Sequence, residues 1–256
     1  MSQEDKQYLV SIITVTKNCA QTIARTLESI RSVKSPEIQY VIVDGESTDG
    51  TLDIIRSHGD LVDILISEKD SGIYHAMNKG AMVAEGQYIL YLNGDDHLFA
   101  DGFNKAKTIL RNETPEILSC QSEVFSQNGA KLEKLRLSLP RLYFFNTVPH
   151  LSTFVSSALQ KSYKFREQFK IMADYDLFLR MFLHGHHFLA SDLVIATHYR
   201  GGFSNNLPQV LVENRQIRRE NLGSALYYIT RILELLNELS NSFLAKYNVR
   251  RTPSES

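Results

Sequence analysis

Four apolar runs rich in β-branched residues recur through the first hundred positions: YLVSIITV (8–15), QYVIVD (39–44), VDILIS (62–67) and QYILYL (87–92). They are near-continuous in apolar character rather than alternating, the pattern of strands buried on both faces of a parallel sheet. Between them lie helix-like segments. AQTIARTLESIRSV places Ile23, Leu27 and Ile30 at helical spacing. TDGTLDIIRSHG opens on the candidate caps Thr48 and Asp49 and ends at Gly59. SGIYHAMNKGAMVAEG has Ser71 as a candidate cap and Gly86 as its stop. Strand–helix alternation with short loops predicts an open α/β sheet with right-handed crossovers.

The second half is less regular. EILSCQSEVFS (116–126) and KLEKLRLSLP (131–140) read as strands of an edge hairpin, DYDLFLRMFLHG (174–185) as a helix and SDLVIATHYR (191–200) as a further strand. From Leu207 to Tyr247 the pattern is helical, and the tail RRTPSES is polar. With 256 residues and 43% hydrophobic content, the chain can bury one large core or a core with a smaller lobe. Its 28 Lys and Arg nearly balance 29 Asp and Glu, with no basic run, which argues against a nucleic-acid partner. Cys19 and Cys120 are too few for a disulfide framework. No signal-type N-terminus and no membrane-length apolar run is present, so a cytoplasmic globular protein is expected.

In open α/β sheets ligands bind in the crevice beyond the carboxyl ends of the strands. Polar residues concentrate there. The first strand runs out into Thr14, Thr16, Lys17 and Asn18, the second into Asp44 and DGESTDG, the third into SEKDSG with Asp70, and the fourth into NGDD (93–96). Adjacent carboxylates Asp95 and Asp96, beside Asn93 and a flexible Gly94, offer hard oxygens to a divalent cation, Mg2+ or Mn2+, that can bridge to a diphosphate. Asp44 at the neighbouring strand end can accept hydrogen bonds from a nucleoside. Neither a G-x-x-x-x-G-K-[ST] loop nor a G-x-G-x-x-G fingerprint occurs, which disfavours other nucleotide-site types.

SIITVTKN, VIVDGESTDGT, EKDSGIYHAMNKGAMVAEGQYILYLNGDD and KIMADYDLFLRM resemble glycosyltransferase family 2, the inverting sugar-nucleotide transferases, in its bacterial exopolysaccharide, colanic-acid and O-antigen branch. The resemblance covers residues 9–104 and, less specifically, 145–203. It implies the GT-A fold, a Rossmann-like, mostly parallel central sheet flanked by helices, here with a C-terminal helical extension. It places a glycosyltransferase domain at 1–205, divided into a nucleotide-sugar half (1–104) and an acceptor and catalytic-base half (105–205), and the extension at 206–256. By this resemblance Asp95 is the metal ligand, and Asp174 the catalytic base. Thr14, Thr16, Asp44, Asp70, Asn78, Asn93, Asp96 and Arg200 form the nucleotide-sugar set, Arg200 meeting the diphosphate from the HYRGGFS loop. The sequence departs from the family pattern twice: Asn93 replaces the first acid of the metal motif, and Ala173 the acid before the base.

The implied reaction transfers a sugar from a nucleotide-diphosphate donor, a UDP-sugar being favoured, to a glycan or lipid-linked acceptor. The metal stabilises the departing diphosphate and one general base takes the acceptor proton. No carboxyl pair of the glycoside-hydrolase kind is required. A nucleotidyltransferase and a non-catalytic sugar-nucleotide-binding scaffold are the alternatives; the first is disfavoured because TVTKNCAQT contains no Gly.

Other features receive plainer readings. HGHH, with His184, His186 and His187, reads as a helix end and turn rather than a zinc site. His150 reads equally as an acceptor-side or an ordinary loop residue, Lys79 as a solvated helix residue, and Asp176 as holding the helix start or a nearby Arg. LYYITRILELLNELSNSFL reads first as a helix packed on the core or on a second copy of the chain. Its rival is an interfacial helix that brings the protein to the inner face of a membrane.

Overall fold

The computed structural model describes residues 8–126, 128–199 and 206–246, with 237–246 described for the backbone only. In chain order the first half runs β1 (Val10–Thr16), α1 (Ile23–Arg31), β2 (Ile38–Asp44), α2 (Thr51–Ser57), β3 (Ile64–Ser67), α3 (Ile73–Val83) and β4 (Tyr88–Asn93). There follow β5 (His97–Leu98), α4 (Ala100–Glu113), β6 (Ile117–Phe125), β7 (Lys131–Leu135), β8 (Thr153–Ser156), α5 (Ser157–Ser162), α6 (Ala173–Leu183), β9 (Phe188–Tyr199), α7 (Leu207–Asn221) and α8 (Gly223–Lys246).

All these strands join one sheet, in the order β3-β2-β1-β4-β8-β6-β9-β5, with β7 paired to β6. β1 to β4 are mutually parallel, as their crossover helices require; β8 enters antiparallel between β4 and β6, and β9 lies parallel to β6. β5 pairs with β9 although only three residues separate it from β4. In a flat sheet the four intervening spacings would span about 19 Å. Four residues of extended chain reach only about 14 Å. The far edge must therefore curl back over the carboxyl end of β4, and that closure builds one wall of the crevice.

Side-chain alternation along the strands divides the core into two layers. Ile13, Val41, Val43, Ile89 and Tyr91 face α3 and α6, whereas Ile12, Tyr40, Ile42, Leu90 and Leu92 face α1 and α4. Ile23, Leu27 and Ile30 of α1 are all fully buried, each worth about 2 kcal/mol of apolar transfer. β3 departs from expectation. It is an edge strand with alternating exposure, Leu65 facing outward, because it has β2 as its one neighbour. The helix starts also differ. The residues preceding α2 and α3 are Gly50 (φ 90°) and Gly72 (φ 131°), not Thr48 and Ser71. Both backbones adopt positive φ, and carboxylates just ahead accept the nearby N–H groups: Asp49, the other candidate cap, accepts from the Thr51 N–H, and Asp70, two residues before Gly72, from the Gly72 N–H.

The single helical run expected after Leu207 is broken at Gly223, whose φ of 69° ends α7 and starts α8. α7 lies on α6, with Ile217 and Leu222 in the core. Arg218 of α7, fully buried, donates to Thr230 and pairs with Glu234 of α8. The polar side of α8 thus faces inward, while Tyr228, Ile232 and Leu236 face out, each more than half exposed.

Candidate active site

At the ends of β1 and β2 the crevice rim is laced together by a buried carboxylate. Asp44 accepts from Thr16 Oγ1 at 3.1 Å, Ser67 Oγ at 3.1 Å, the Ser47 N–H at 2.9 Å and Ser47 Oγ. Asn18 (φ 53°) donates its N–H to Ser47 Oγ and accepts from the Thr48 N–H, so the loops after both strands move as one. Lys17 Nζ donates to the Gly45 carbonyl at 2.7 Å. Asp70 lies over the strand end: a Cβ on Gly45 would stand 2.4 Å from its Oδ2 and would push that side chain aside. Thr16, Asp44 and Asp70 are thereby brought together. Thr14 is not; fully buried below the rim, its hydroxyl accepts from Tyr40 Oη at 3.1 Å.

The adjacent carboxylates after β4 point apart. Asp96 turns inward, accepting from Asn93 Nδ2 at 3.1 Å and from the Tyr199 N–H at 3.2 Å, with His198 Nδ1 3.6 Å away. It is fully buried and ties the end of β4 to the end of β9. Asp95 stays half-buried, and among the described residues its carboxylate has no hydrogen-bond partner; burial, reinforced by the charge of Asp96, raises its pKa. Asn93 Oδ1 is likewise buried and unpartnered.

The turn itself is held by α1. Thr22 Oγ1 donates to the Gly94 carbonyl (2.9 Å), Arg25 to the Asp95 carbonyl (2.7 Å) and Thr26 Oγ1 to the Asp96 carbonyl (2.7 Å). Positions 22, 25 and 26 share one helix face, so three consecutive carbonyls are met by three stacked donors. Arg25 also lies over the Tyr199 ring at 4.1 Å. None of these three was singled out from sequence. Their i, i+3, i+4 spacing was visible, but nothing in it pointed to a turn seventy residues on.

Asp174 opens α6 on the sheet face that carries Asn93. It is linked to β4 through Tyr74, Phe165 and Tyr91, whose successive rings lie 5.3 Å apart. Its Oδ1 accepts from the Tyr175 N–H (2.8 Å) and its Oδ2 from Asn146 Nδ2 (2.7 Å), while Tyr74 Oη, which donates to the Ile171 carbonyl at 2.6 Å, stands 3.3 Å from Oδ1. Burial outweighs these donors and pushes the carboxyl up to about 6. The backbone before it is anchored from α7: Glu213 accepts the N–H groups of Lys170, Ile171 and Met172, each at 2.9 Å. Although burial opposes it, those donors hold the Glu213 carboxyl below the usual range. Asp176, also buried, is spent on Arg166, Arg180 and Asn221, in keeping with the arginine reading of that residue.

Asn78 uses its amide to pin the chain at Phe165, donating to its carbonyl and accepting from its N–H at 3.0 Å, and it also meets Glu167. Its side chain therefore braces the segment at 165–167. Lys79 pairs with Glu68. His150 is a core residue among Tyr91, Phe165 and Phe178, and burial lowers it to about 4. His184 and His186 meet Tyr163, and His186 also meets Glu116. Among the described residues no group of three His, Cys, Asp or Glu side chains converges on a metal position. Arg200 and the rest of HYRGGFS beyond Tyr199 lie outside the described residues.

Residues 11–186 match the family model described as glycosyl transferase family 2. A PGL/p-HBAD biosynthesis glycosyltransferase of Mycobacterium tuberculosis is 31% identical over 184 residues, covering 68% of this chain and 70% of that one. The putative teichuronic acid biosynthesis glycosyltransferase TuaG of Bacillus subtilis is 30% identical over 129 residues, 49% of this chain and 51% of its own. Among solved structures, S. aureus TarS 1–349 in complex with UDP superposes with a TM-score of 0.66 at 20% identity, covering 82% of this chain and 64% of that chain. The mannosyltransferase PcManGT from Pyrobaculum calidifontis, in complex with GDP-Man and Mn2+, gives a TM-score of 0.68 at 19% identity, over 97% of this chain and 78% of its own. At these identities the structural likenesses establish the GT-A fold.

Proposed function

Because the chain belongs to glycosyltransferase family 2, we propose that it transfers a sugar from a nucleotide-diphosphate donor to a hydroxyl of a glycan or lipid-linked acceptor, inverting the anomeric carbon. A UDP-sugar is the first candidate, since the TarS structures carry UDP or UDP-GlcNAc, with GDP-mannose next. Bacterial surface-glycan assembly is the setting suggested by the relatives' names.

One observation carries the mechanism. Asp44, Asp96 and Asp176 are buried and committed to protein donors, whereas Asp95 accepts from no other described residue and Asp174 keeps accepting capacity beyond its Tyr175 and Asn146 donors. Asp95 and the unpartnered Asn93 Oδ1 are hard oxygen donors that would hold a divalent cation such as Mg2+ or Mn2+. When bound, the ion supplies charge neutralisation at the diphosphate. Asp44 orders the loops on the nucleoside side, and Thr16, Lys17 and Asp70 belong to the same rim. Asp174 takes the acceptor proton as the acceptor oxygen bonds to the anomeric carbon. The sugar–diphosphate C–O bond breaks in the same displacement, and its electron pair leaves with the diphosphate.

A thermal-shift panel of nucleotide sugars with and without Mn2+ tests the donor side, because binding to the folded state raises its melting temperature. Asp95→Ala is expected to lose the metal-dependent part of the shift. Asp174→Asn is expected to keep that shift and lose transfer by about a thousandfold or more. Near-normal turnover in Asp174→Asn overturns the base assignment, and absence of turnover with every donor supports the scaffold alternative.

The outward face of α8 favours a second reading, association with another copy of this chain. No helix among the described residues is long and apolar enough to cross a membrane. α8 carries two basic and two acidic residues, so it lacks the excess of Lys and Arg that draws an interfacial helix to anionic lipid. Ile229, Leu233 and Leu235 extend its apolar face beyond a narrow seam, as helix bundles need. Sedimentation velocity is expected to show a dimer that Ile232→Asp dissociates; a monomer that co-sediments with vesicles points to the membrane instead.

A further inference from the structure

We infer that Asn146 is the positioning residue of Asp174, holding Oδ2 so that the carboxylate keeps the direction in which it receives the acceptor proton. The inference rests on the base reading of Asp174 given above. Oδ1 accepts from the Tyr175 N–H, and Tyr74 Oη, whose single proton lies nearer the Ile171 carbonyl at 2.6 Å, stands 3.3 Å from it. Oδ2 accepts from Asn146 Nδ2 at 2.7 Å, so the side-chain amide that sets the direction of this carboxylate comes from twenty-eight residues away.

The orientation of the Asn146 amide is determined by its surroundings. Its Oδ1 accepts from the Val148 N–H at 3.0 Å, so its Nδ2 must be the end that faces Asp174. The loop carrying it is set by α7, where Asn214 Nδ2 donates to the Phe144 carbonyl at 3.0 Å. The residue before Asn214 is Glu213, which holds the backbone ahead of Asp174. Two consecutive α7 residues thus grip both sides of the Asn146–Asp174 contact, one by a carbonyl and one by N–H groups. That contact is fixed rather than incidental.

An amide donor favours the ionised form of the carboxyl it meets. The other groups facing this carboxyl are Tyr74 from α3 and, behind the Lys170–Met172 backbone, the Glu213 charge from α7. On its own helix is Asp176, already neutralised by Arg166 and Arg180. None of these changes when Asn146 is replaced.

The test is the pH dependence of kcat/KM in wild type, Asn146→Ala and Asn146→Asp, with donor binding followed by thermal shift. Asn146→Ala is expected to move the acid limb upward by about one pH unit, costing roughly fivefold at pH 6 and less than about threefold near pH 8.5. Asn146→Asp keeps the acceptor for the Val148 N–H, and so the loop, but sets a second carboxyl against Oδ2. It is expected to move the limb up by two pH units or more, the two acids sharing a proton. Donor-induced stabilisation is expected to stay within about twofold of wild type in both. An acid limb unmoved in both variants overturns the role of Asn146 while leaving Asp174 as the base. Full activity in Asp174→Asn instead removes the base reading itself.

Discussion

Both proposed reactive carboxylates sit on backbone that a distant helix holds, yet the two grips have opposite polarity. The turn bearing Asp95 ends a strand and presents carbonyls, and α1 meets them with donors from Thr22, Arg25 and Thr26. The start of α6 bearing Asp174 presents N–H groups, and α7 meets them with one acceptor, Glu213. Strand ends and helix starts leave opposite groups unpaired, so a fold that places chemistry on both needs two kinds of clamp. The surroundings diverge as well. Asp95 is half-buried with no donor from another described residue, whereas Asp174 sits beside Tyr74 where burial makes a charge costly.

Cutting the second clamp is expected to have the largest effect on stability. Glu213→Ala strands three N–H groups and should cost about 2–4 kcal/mol, a fall of roughly 5–12 °C in Tm, together with lost turnover. A shift below about 2 °C would mean that water replaces the carboxylate, and the likeness between the clamps would fail. The environment of Asp174 gives the next effect. Its carboxyl, raised to about 6 from 3.8, makes the fold more stable while protonated. That contribution is present below pH 4 and is lost as pH rises through 6, by up to about 3 kcal/mol. Urea unfolding of wild type against Asp174→Ala, from pH 4 to 7.5, should show this difference closing. The transfer rate should run the opposite way, rising with pH through about 6, since the base must be ionised.

The first clamp is spread over three donors, so each single cut is milder. Thr26→Val should cost about 1 kcal/mol and raise the Mn2+ concentration needed for half-maximal activity several-fold. If stability falls and the metal requirement does not, the grip is structural alone. Ser71→Ala should change stability by less than about 0.5 kcal/mol, because Ser71 Oγ meets Glu167 at an exposed site and caps no helix. A loss above 1 kcal/mol in chemical denaturation would restore Ser71 as a cap.

The sheet was legible wherever burial is two-sided. β1, β2 and β4 match their apolar runs to within a residue or two, because a strand covered on both faces is mostly apolar, and its few polar side chains, such as Ser11 and Gln39, pair with one another. β3 was misread because a short apolar run does not reveal that it sits at an edge. Ser71 was misread as a cap because Asp70 supplies the oxygen one residue earlier, and Thr48 because Asp49, the other candidate, supplies it one residue later, with glycine making the turn. The acids at the strand ends were visible as residue types. Their division into spent and free was not, since it depends on which neighbours turn towards them: Asn93 and the Tyr199 backbone for Asp96, and no partner for Asp95. Asn146 and Glu213 carried no local signal. Each acts across more than twenty-five residues, through an amide or carboxylate that looks ordinary in its own segment.

The hold of α1 on residues 94–96 falls on peptide oxygens alone. It is therefore indifferent to the side chain at position 95, much as a socket is indifferent to the tool fitted to it. Asp95 can be exchanged for Glu, His or Asn without asking the surrounding framework to relearn its shape. The chemistry offered at this turn is thereby open to redesign independently of the architecture that carries it.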